Sequence, residues 1–580
     1  MRDPFKEKEV VGFPVSEGVA IGKLFFLSED GAESFPSFSI NSDEVDREIQ
    51  RYRIALSSSR KDLEQLQIYL SAEGSEEAIT IIDTHIQMLE DPLITTFVEQ
   101  RIHQMLQNTE SVFRSVIGDY EKKFVAIDDA FFRQRWVDVK DVSQRILKHL
   151  HPKHKTQQMI QGGVFFAKEL TPSHTAEACV SKVAAFISEI GGTTSHAALI
   201  ARGKGIPYVA NISFDMLKPY EGSIVIIDGI GGKIILNPSE KTLVSYQKLK
   251  DDIFENFQRL VDEIDLPTET LDHQKIFVCA NIEKLSDLDH PHFRAADGVG
   301  LFRSEFLFMH KEIFSISEQE QFIFYSQMIK KAGDIPVVFR VFDLGGDKGF
   351  WNEKALEEPN PALGCRGIRF LLYYREFFKK QLRAFLRASI HGKVSLLFPL
   401  VADVQEIIEA KKLLQEAKGE LRKEKLPYQE NIPIGCMIEV PSAALTVDIL
   451  AKESDFFSIG TNDLVQYTLA IDRAHPILSH GYKPTHPSII RMIKSVVKVG
   501  QDRNKPVSVC GEIASNPIFT KLLIGLGITH LSCAPRHLPL IKKTIRSLSV
   551  DAAKVLVEEI LELESAEEIE KILLREKAIV

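Results

Sequence analysis

The apolar positions change their period several times along the chain. Between Val10 and Leu27 short apolar runs are broken by Gly12, Gly18 and Gly22, which predicts strands and turns. From Val45 the spacing lengthens. Val45, Ile49, Tyr52, Leu56, Ser59, Leu63, Leu66 and Leu70 alternate steps of four and three, the seam of an amphipathic helix. Asn41 or Ser42 suits its N-cap, and Asp43 and Glu44 favour its positive end. Helical spacing continues to about Leu150, with Pro92 the only proline between Pro36 and Pro152. After Gly162 the strand pattern returns in Val164–Phe166, Val183–Ile187 and the hairpin-like stretch Ile224–Leu236. Two β-containing pieces thus flank an all-helical block, and the economical arrangement is an α/β domain with a helical domain inserted in it.

A charged amphipathic helix follows over 239–263, with Leu243, Tyr246, Leu249, Ile253, Phe257 and Leu260 on one face. It ends before the turn-prone Asp265-Leu266-Pro267 and predicts a stiff connector. Beyond it eight short strands alternate with helical stretches: 276–280, 298–301, 337–341, 394–398, 434–438, 456–459, 507–510 and 530–533. Eight βα units predict a (β/α)8 barrel. The expected α/β multidomain organisation is 1–40 and 151–238 for the α/β domain, 41–150 for the helical insert, 239–268 for the linker and 269–580 for the barrel.

In that fold, polar residues at strand C-terminal ends carry chemistry. These ends bear Asn281, Arg303, Arg340, Glu439, Asn462, Asp463 and Cys510, a set too polar and too regularly spaced for a core. Arg303 and Arg340, with Arg366 and Arg473 in following loops, imply a compact polyanion, because guanidinium forks match carboxylate and phosphate oxygens in pairs. A lone arginine is more often a surface ion pair, but successive strand ends argue against that here. Glu439 and Asp463 suit either a magnesium ion sharing substrate phosphate oxygens or a general acid/base pair. The arginines favour the metal. Cys510 is either an inert buried thiol or a proton donor. Gly191-Gly192-Thr193-Thr194-Ser195-His196 follows a strand and opens a helix, which sets the imidazole at a positive helix end and suits it as a phosphoryl acceptor. A lone histidine is more often a surface or hydrogen-bonded residue, but the turn chemistry argues against that here.

Composition narrows the class. Across 580 residues, 71 Lys and Arg oppose 81 Asp and Glu, a net charge of −10, with hydrophobic residues at 44%. That excludes a dense cationic footprint for nucleic acid. No apolar run reaches the roughly 18 to 20 residues of a membrane span, and the opening segment lacks the apolar core of a signal peptide. Six cysteines without a CxxC pair give no zinc or disulfide framework. A cytoplasmic protein without membrane insertion is expected. There is no Walker-type phosphate loop.

Gly191–His196, Gly300–Met309, Asp343-Leu-Gly-Gly-Asp-Lys348, Asn360–Arg366 and Gly460–Arg473 together resemble enzyme I of the bacterial phosphoenolpyruvate:sugar phosphotransferase system. Gly12–Gly22 and Leu170-Thr-Pro-Ser173 are similar too, so the resemblance runs from about Val11 to the C-terminus. It implies a relay in which the barrel binds phosphoenolpyruvate and Mg2+, and His196 takes the phosphoryl group and releases pyruvate. His196 then passes it to the histidine-containing phosphocarrier protein. By matching motif, Arg303, Arg340, Asn462 and Arg473 would hold phosphoenolpyruvate, with Arg366 assisting. Glu439 and Asp463 would hold Mg2+, Cys510 would protonate the enolate, and Thr171 would orient His196. The helical insert would dock the carrier around Glu76, Glu77, His85, Met88 and Leu89. A homodimer through the barrel is implied, with the 239–263 helix as the hinge region.

Departures from the family pattern are Thr193, where arginine is frequent, Trp136-Val-Asp-Val-Lys140, and Ser532–His537. Pyruvate phosphate dikinase and phosphoenolpyruvate synthase share the histidine turn and barrel but need a nucleotide-grasp domain. Only about 160 residues precede the histidine segment here, most of them helical, and a sensory domain as in the nitrogen-related paralogue has no room either. The non-enzyme rival is a scaffold that only binds the carrier.

Overall fold

The computed structural model describes residues 7–27, 37–72, 76–92, 94–125, 130–150, 159–192, 195–308, 313–343, 360–473, 478 and 481–577. The chain divides into two compact units, 1–256 and 257–580.

Unit 1 is built on an eight-stranded sheet. Its strands are β1 (Lys8–Val11), β2 (Phe13–Ser16), β3 (Val19–Phe26), β4 (Val164–Glu169), β5 (Ala185–Ile190), β6 (Tyr208–Ala210), β7 (Ile224–Asp228) and β8 (Lys233–Leu236). They lie in the order β1-β8-β7-β3-β4-β5-β6-β2. The central β3 to β6 run parallel, and the flanking strands are antiparallel. Parallel strands covered on both faces read as continuous apolar runs. In β4, Val164 through Ala167 are all buried. Phe165 belongs to one buried cluster with Phe186, Tyr208 and the helical residues Tyr52 and Phe113, while Val164 and Phe166 belong to another with Ile187 and Val225 on the other side.

Between β3 and β4 the chain forms helices Val45–Ala72, Glu76–Leu89, Thr96–Met105, Thr109–Val125 and Ala130–Leu150. The predicted seam of the first helix is its buried face at Val45, Ile49, Tyr52, Ser59, Leu63 and Leu66. At its start the Asn41 backbone N–H donates to Glu44 Oε2 at 2.8 Å, the reciprocal half of a capping box, which fits Asn41 at the N-cap.

Unit 2 is a closed barrel. Its strands are β9 (Phe277–Ile282), β10 (Val299–Arg303), β11 (Val337–Arg340), β12 (Val394–Phe398), β13 (Ile434–Ile438), β14 (Phe456–Ile459), β15 (Val507–Val509) and β16 (His530–Cys533). Each pairs in parallel with its neighbours, and β16 returns to β9. The expected strands are all present. β9 and β10 run further than their apolar residues suggested, because Asn281 and Arg303 still pair within the sheet. β15 stops one residue short of Cys510.

Strand alternation sets what faces the barrel interior. Leu301, Leu397, Met437 and Cys510 form a small apolar plug. Arg303 and Glu439 lie two residues beyond Leu301 and Met437, on the same inward face one layer nearer the C-terminal mouth. The outward residues pack under helices: Phe339 meets Phe302 and Phe385 at ring distances of 5.1 Å each and Tyr325 at 5.6 Å. Truncating a fully buried aromatic costs about 3–5 kcal/mol. Phe339→Ala is therefore expected to speed amide exchange in β10 to β12 strongly and to leave exchange in β4 and β5 unchanged. Uniform acceleration in both units would contradict the separation of their cores.

Candidate active site

At the C-terminal mouth of the barrel, acidic and basic side chains alternate. Arg303 and Arg340 are register partners across β10 and β11. Arg303 pairs with Glu283. Glu305, in the short 3-10 turn Ser304–Phe308, is buried and accepts from Arg340 Nε at 3.1 Å and from the Asp343 backbone N–H at 2.9 Å. Arg340 Nη2 also lies 3.0 Å from Glu305, and its Nη1 3.2 Å from Asp343 Oδ2. Arg366 forks onto Asp343 through Nε at 3.3 Å and Nη2 at 3.1 Å. Its Nη2 reaches Asp463 Oδ2 at 3.2 Å, and its Nη1 donates to the Tyr467 hydroxyl at 3.4 Å. Arg473 is more exposed and stands 3.8 Å from Asp463 Oδ1.

Burial alone pulls Arg340 toward the neutral form, but Glu305, Asp343 and Glu439 overcome it and hold the guanidinium above its ordinary range. Arg366 is held up in the same way, against its burial, first by Asp343 and then by Asp463. The carboxylates show the opposite strain. Glu439 is pushed up to about 8, chiefly by burial and then by the negative charges of Asp463 and Asp343. It accepts from the Leu400 backbone N–H at 2.7 Å. Gly460 lets the next strand pass this close, since a Cβ there would stand 2.6 Å from Glu439 Oε2.

The residues present fit a divalent cation. Among the described residues, Asp343, Glu439 and Asp463 are buried and bring ligand oxygens within 4.8 Å of one another. Among the described residues, Asp463 Oδ1 is buried with no hydrogen-bond partner. Hard oxygen ligands of this kind suit Mg2+.

Asp463 and Asn462 stand in the first turn of helix Thr461–Leu469, directly after β14. Asn462 is pinned by Glu512, donating to its Oε1 at 3.0 Å and accepting from its backbone N–H at 2.9 Å. Cys510 is buried below them. Its Sγ accepts from the Ser458 hydroxyl at 3.2 Å, and its carbonyl accepts from Asn281 Nδ2 at 3.0 Å. Burial pushes the thiol up to about 11, with the Ser458 hydrogen bond opposing.

In unit 1, His196 opens helix His196–Gly203, and Ser195 caps it by accepting from the Ala198 backbone N–H at 3.2 Å. The helix start is therefore as predicted, while Thr193 and the His196 side chain lie outside the described residues. Thr171 caps a different helix, accepting at Oγ1 from the His174 backbone N–H at 3.2 Å. Two expected docking residues require correction. His85 and Leu89 are buried, at 0% and 4% exposure, so neither offers an outward surface. His85 lies between Asp138 at 3.6 Å and Asp141 at 3.8 Å. Met88 is partly exposed, and the side chains of Glu76 and Glu77 lie outside the described residues.

Sequence reasoning brought together Arg303, Arg340, Arg366, Glu439, Asp463, Asn462, Arg473 and Cys510, and all fall at this mouth. It missed Asp343 and Glu305. Both were inside recognised motifs, three residues after Arg340 and two after Arg303, but neither stands at a strand end.

Three PEP-utilising enzyme profiles match the chain: the N-terminal domain over residues 11–135, the mobile domain over 159–232 and the PEP-binding domain over 258–550. The phosphoenolpyruvate-protein phosphotransferase of Priestia megaterium is 35% identical over 567 residues, covering 97% of this chain and 98% of its own. Those of Haemophilus influenzae and Listeria monocytogenes are 34% and 35% identical with the same coverage. The chain belongs to the phosphoenolpyruvate-protein phosphotransferase (enzyme I) family. The mouth residues, from Glu283 to Glu512, all lie within the PEP-binding match of this enzyme I family member.

The raised Cys510 thiol has a consequence in pH. A thiol whose folded value, about 11, exceeds the ordinary 9.0 adds stability that is complete below pH 9 and is lost between pH 9 and 11. Cys510→Ala is expected to flatten stability across that window. Alkylation of native Cys510 by iodoacetamide is expected to stay slow up to pH 9, and rapid alkylation at pH 8 would contradict a protonated thiol.

Proposed function

We propose that this chain transfers the phosphoryl group of phosphoenolpyruvate to its own His196, releases pyruvate, and hands the group to a histidine-containing phosphocarrier protein. The observation that carries the reading is the set of arginines over buried carboxylates at the barrel mouth, inside the stretch that matches the PEP-binding domain. A small polyanion needs charge neutralisation and positioning more than covalent assistance. Arg303, Arg340, Arg366 and Arg473 supply guanidinium forks for its phosphate and carboxylate, and Asn462, held by Glu512, adds a fixed amide.

Glu439 and Asp463 would hold Mg2+, which when bound supplies positive charge to the phosphoryl oxygens. In the transfer, the P–O bond to the enol oxygen breaks and an N–P bond to the His196 imidazole forms. The enolate keeps the electron pair. Cys510, protonated at neutral pH, gives its thiol proton to the enolate carbon, producing pyruvate, and regains a proton from solvent. Ser458 stabilises the transient thiolate through its hydroxyl. Thr171 orients the imidazole in this reading, and Met88, Glu76 and Glu77 belong to the carrier-docking face. A cytoplasmic location and a homodimer through the barrel follow from the same assignment, as do domain limits of 1–40 with 151–238, 41–150, 239–268 and 269–580.

Incubation with [32P]phosphoenolpyruvate and Mg2+ is expected to label the purified chain, with His196→Ala abolishing the label. Cys510→Ala should slow pyruvate formation by about 10²- to 10⁴-fold, the range of a lost general acid. No label on the unmutated chain, or labelling from ATP instead, would overturn the proposal.

A further inference from the structure

Three buried carboxylates meet at the barrel mouth, and their surroundings divide them into two kinds. Both oxygens of Asp343 are engaged by cations: Oδ1 accepts from Arg366 Nε at 3.3 Å, and Oδ2 accepts from Arg366 Nη2 at 3.1 Å with Arg340 Nη1 at 3.2 Å. Its backbone N–H is taken by Glu305, which itself grips Arg340. The chain is folded tightly over it, since Gly367 holds φ +58° and a Cβ there would stand 3.2 Å from Asp343 Oδ1. Asp463 and Glu439 differ in degree. Asp463 accepts one guanidinium hydrogen bond, from Arg366 Nη2 to Oδ2 at 3.2 Å, and its buried Oδ1 has no hydrogen-bond partner among the described residues, with the more exposed Arg473 Nη1 3.8 Å away. Glu439 Oε1 accepts from the neutral Leu400 amide.

We infer that Asp343 is a positioning residue that holds Arg340 and Arg366 side by side for the phosphoryl group, while the cation falls to Glu439 and Asp463. The inference rests on the phosphotransfer reading above and adds a division of labour among the carboxylates. A cation on Asp343 would have to displace one of the two guanidinium groups and then sit against both. With Asp343 in place, two like charges share one carboxylate and face the same space. Without its charge, Arg340 and Arg366 repel each other and lose their common register. Glu305 holds the far side of Arg340 and leaves Arg366 untouched, so Asp343 is the link between the two. A misplacement of about 1 Å at such groups costs on the order of 10²-fold in rate.

The test is Asp343→Asn in the full chain, beside Glu439→Gln and Asp463→Asn. Mn2+ binding without substrate, followed by electron paramagnetic resonance, is expected to stay within about threefold of the unmutated chain for Asp343→Asn. The other two variants should weaken it by about 10- to 100-fold, the usual cost of disturbing a metal site. Retained Mn2+ binding also shows that Asp343→Asn folds. At saturating Mg2+ its KM for phosphoenolpyruvate is expected to rise by about 10- to 100-fold, and its crystal structure should show Arg340 and Arg366 moved apart. Loss of Mn2+ affinity in Asp343→Asn equal to that in Glu439→Gln would make Asp343 a ligand and overturn the inference. Unmoved guanidinium groups, or an unchanged KM, would overturn it too. Absence of phosphotransfer by the unmutated chain would instead remove the reading beneath it, and the Mn2+ and crystallographic results would still decide what Asp343 does.

Discussion

Glu305, Arg340, Asp343, Arg366 and Asp463 alternate in charge across the barrel mouth, and no one of them could be buried alone. Removing a single ion from water costs several kcal/mol even after the protein relaxes, and only close, hydrogen-bonded partners offset it. The ladder meets that condition for Arg340 and Arg366 and leaves the acidic end less well compensated, at Glu439 and at Asp463 Oδ1, which has no hydrogen-bond partner among the described residues and only the more exposed Arg473 at 3.8 Å. That imbalance is the useful feature. A site with neutralised arginines and an excess of carboxylate oxygen suits a cation, and in the proposed function the cation and the arginines together would receive the polyanion.

The barrel makes this arrangement possible by geometry. Inward positions two residues apart stack in layers, so the apolar plug of Leu301, Leu397, Met437 and Cys510 lies one layer below Arg303 and Glu439. The buried plug sets the thiol of Cys510 in an apolar floor, where burial pushes it up to about 11. The aromatic layer outside, around Phe339, fixes the strands that bear Arg303 and Arg340. Packing, electrostatics and proton inventory at the mouth are thus consequences of the same two-residue repeat.

This is also why so much was legible in the sequence. Period-two strands ending in Arg303, Arg340 and Glu439 are visible because strand ends in a (β/α)8 barrel are where polar residues are otherwise unexpected. Asp343 and Glu305 escaped because they sit in the turns after the strands, where an acidic residue looks like ordinary surface; only tertiary contact with Arg340 reveals them as buried. His85 misled for the mirror reason. Histidine on an amphipathic helix reads as surface, and its burial depends on Asp138 and Asp141 arriving from a helix some fifty residues later. Local pattern predicts elements well, whereas charge pairing between elements is a property of the assembled fold.

In the proposed function one buried ladder serves both a cation site and a phosphate site. Crystals grown with Mn2+ and phosphoenolpyruvate, examined by anomalous diffraction at the manganese edge, test it most directly. One manganese peak is expected between Glu439 and Asp463, with the phosphate of phosphoenolpyruvate on Arg340 and Arg366. Manganese elsewhere on the barrel, or phosphoenolpyruvate bound away from those arginines, would contradict it.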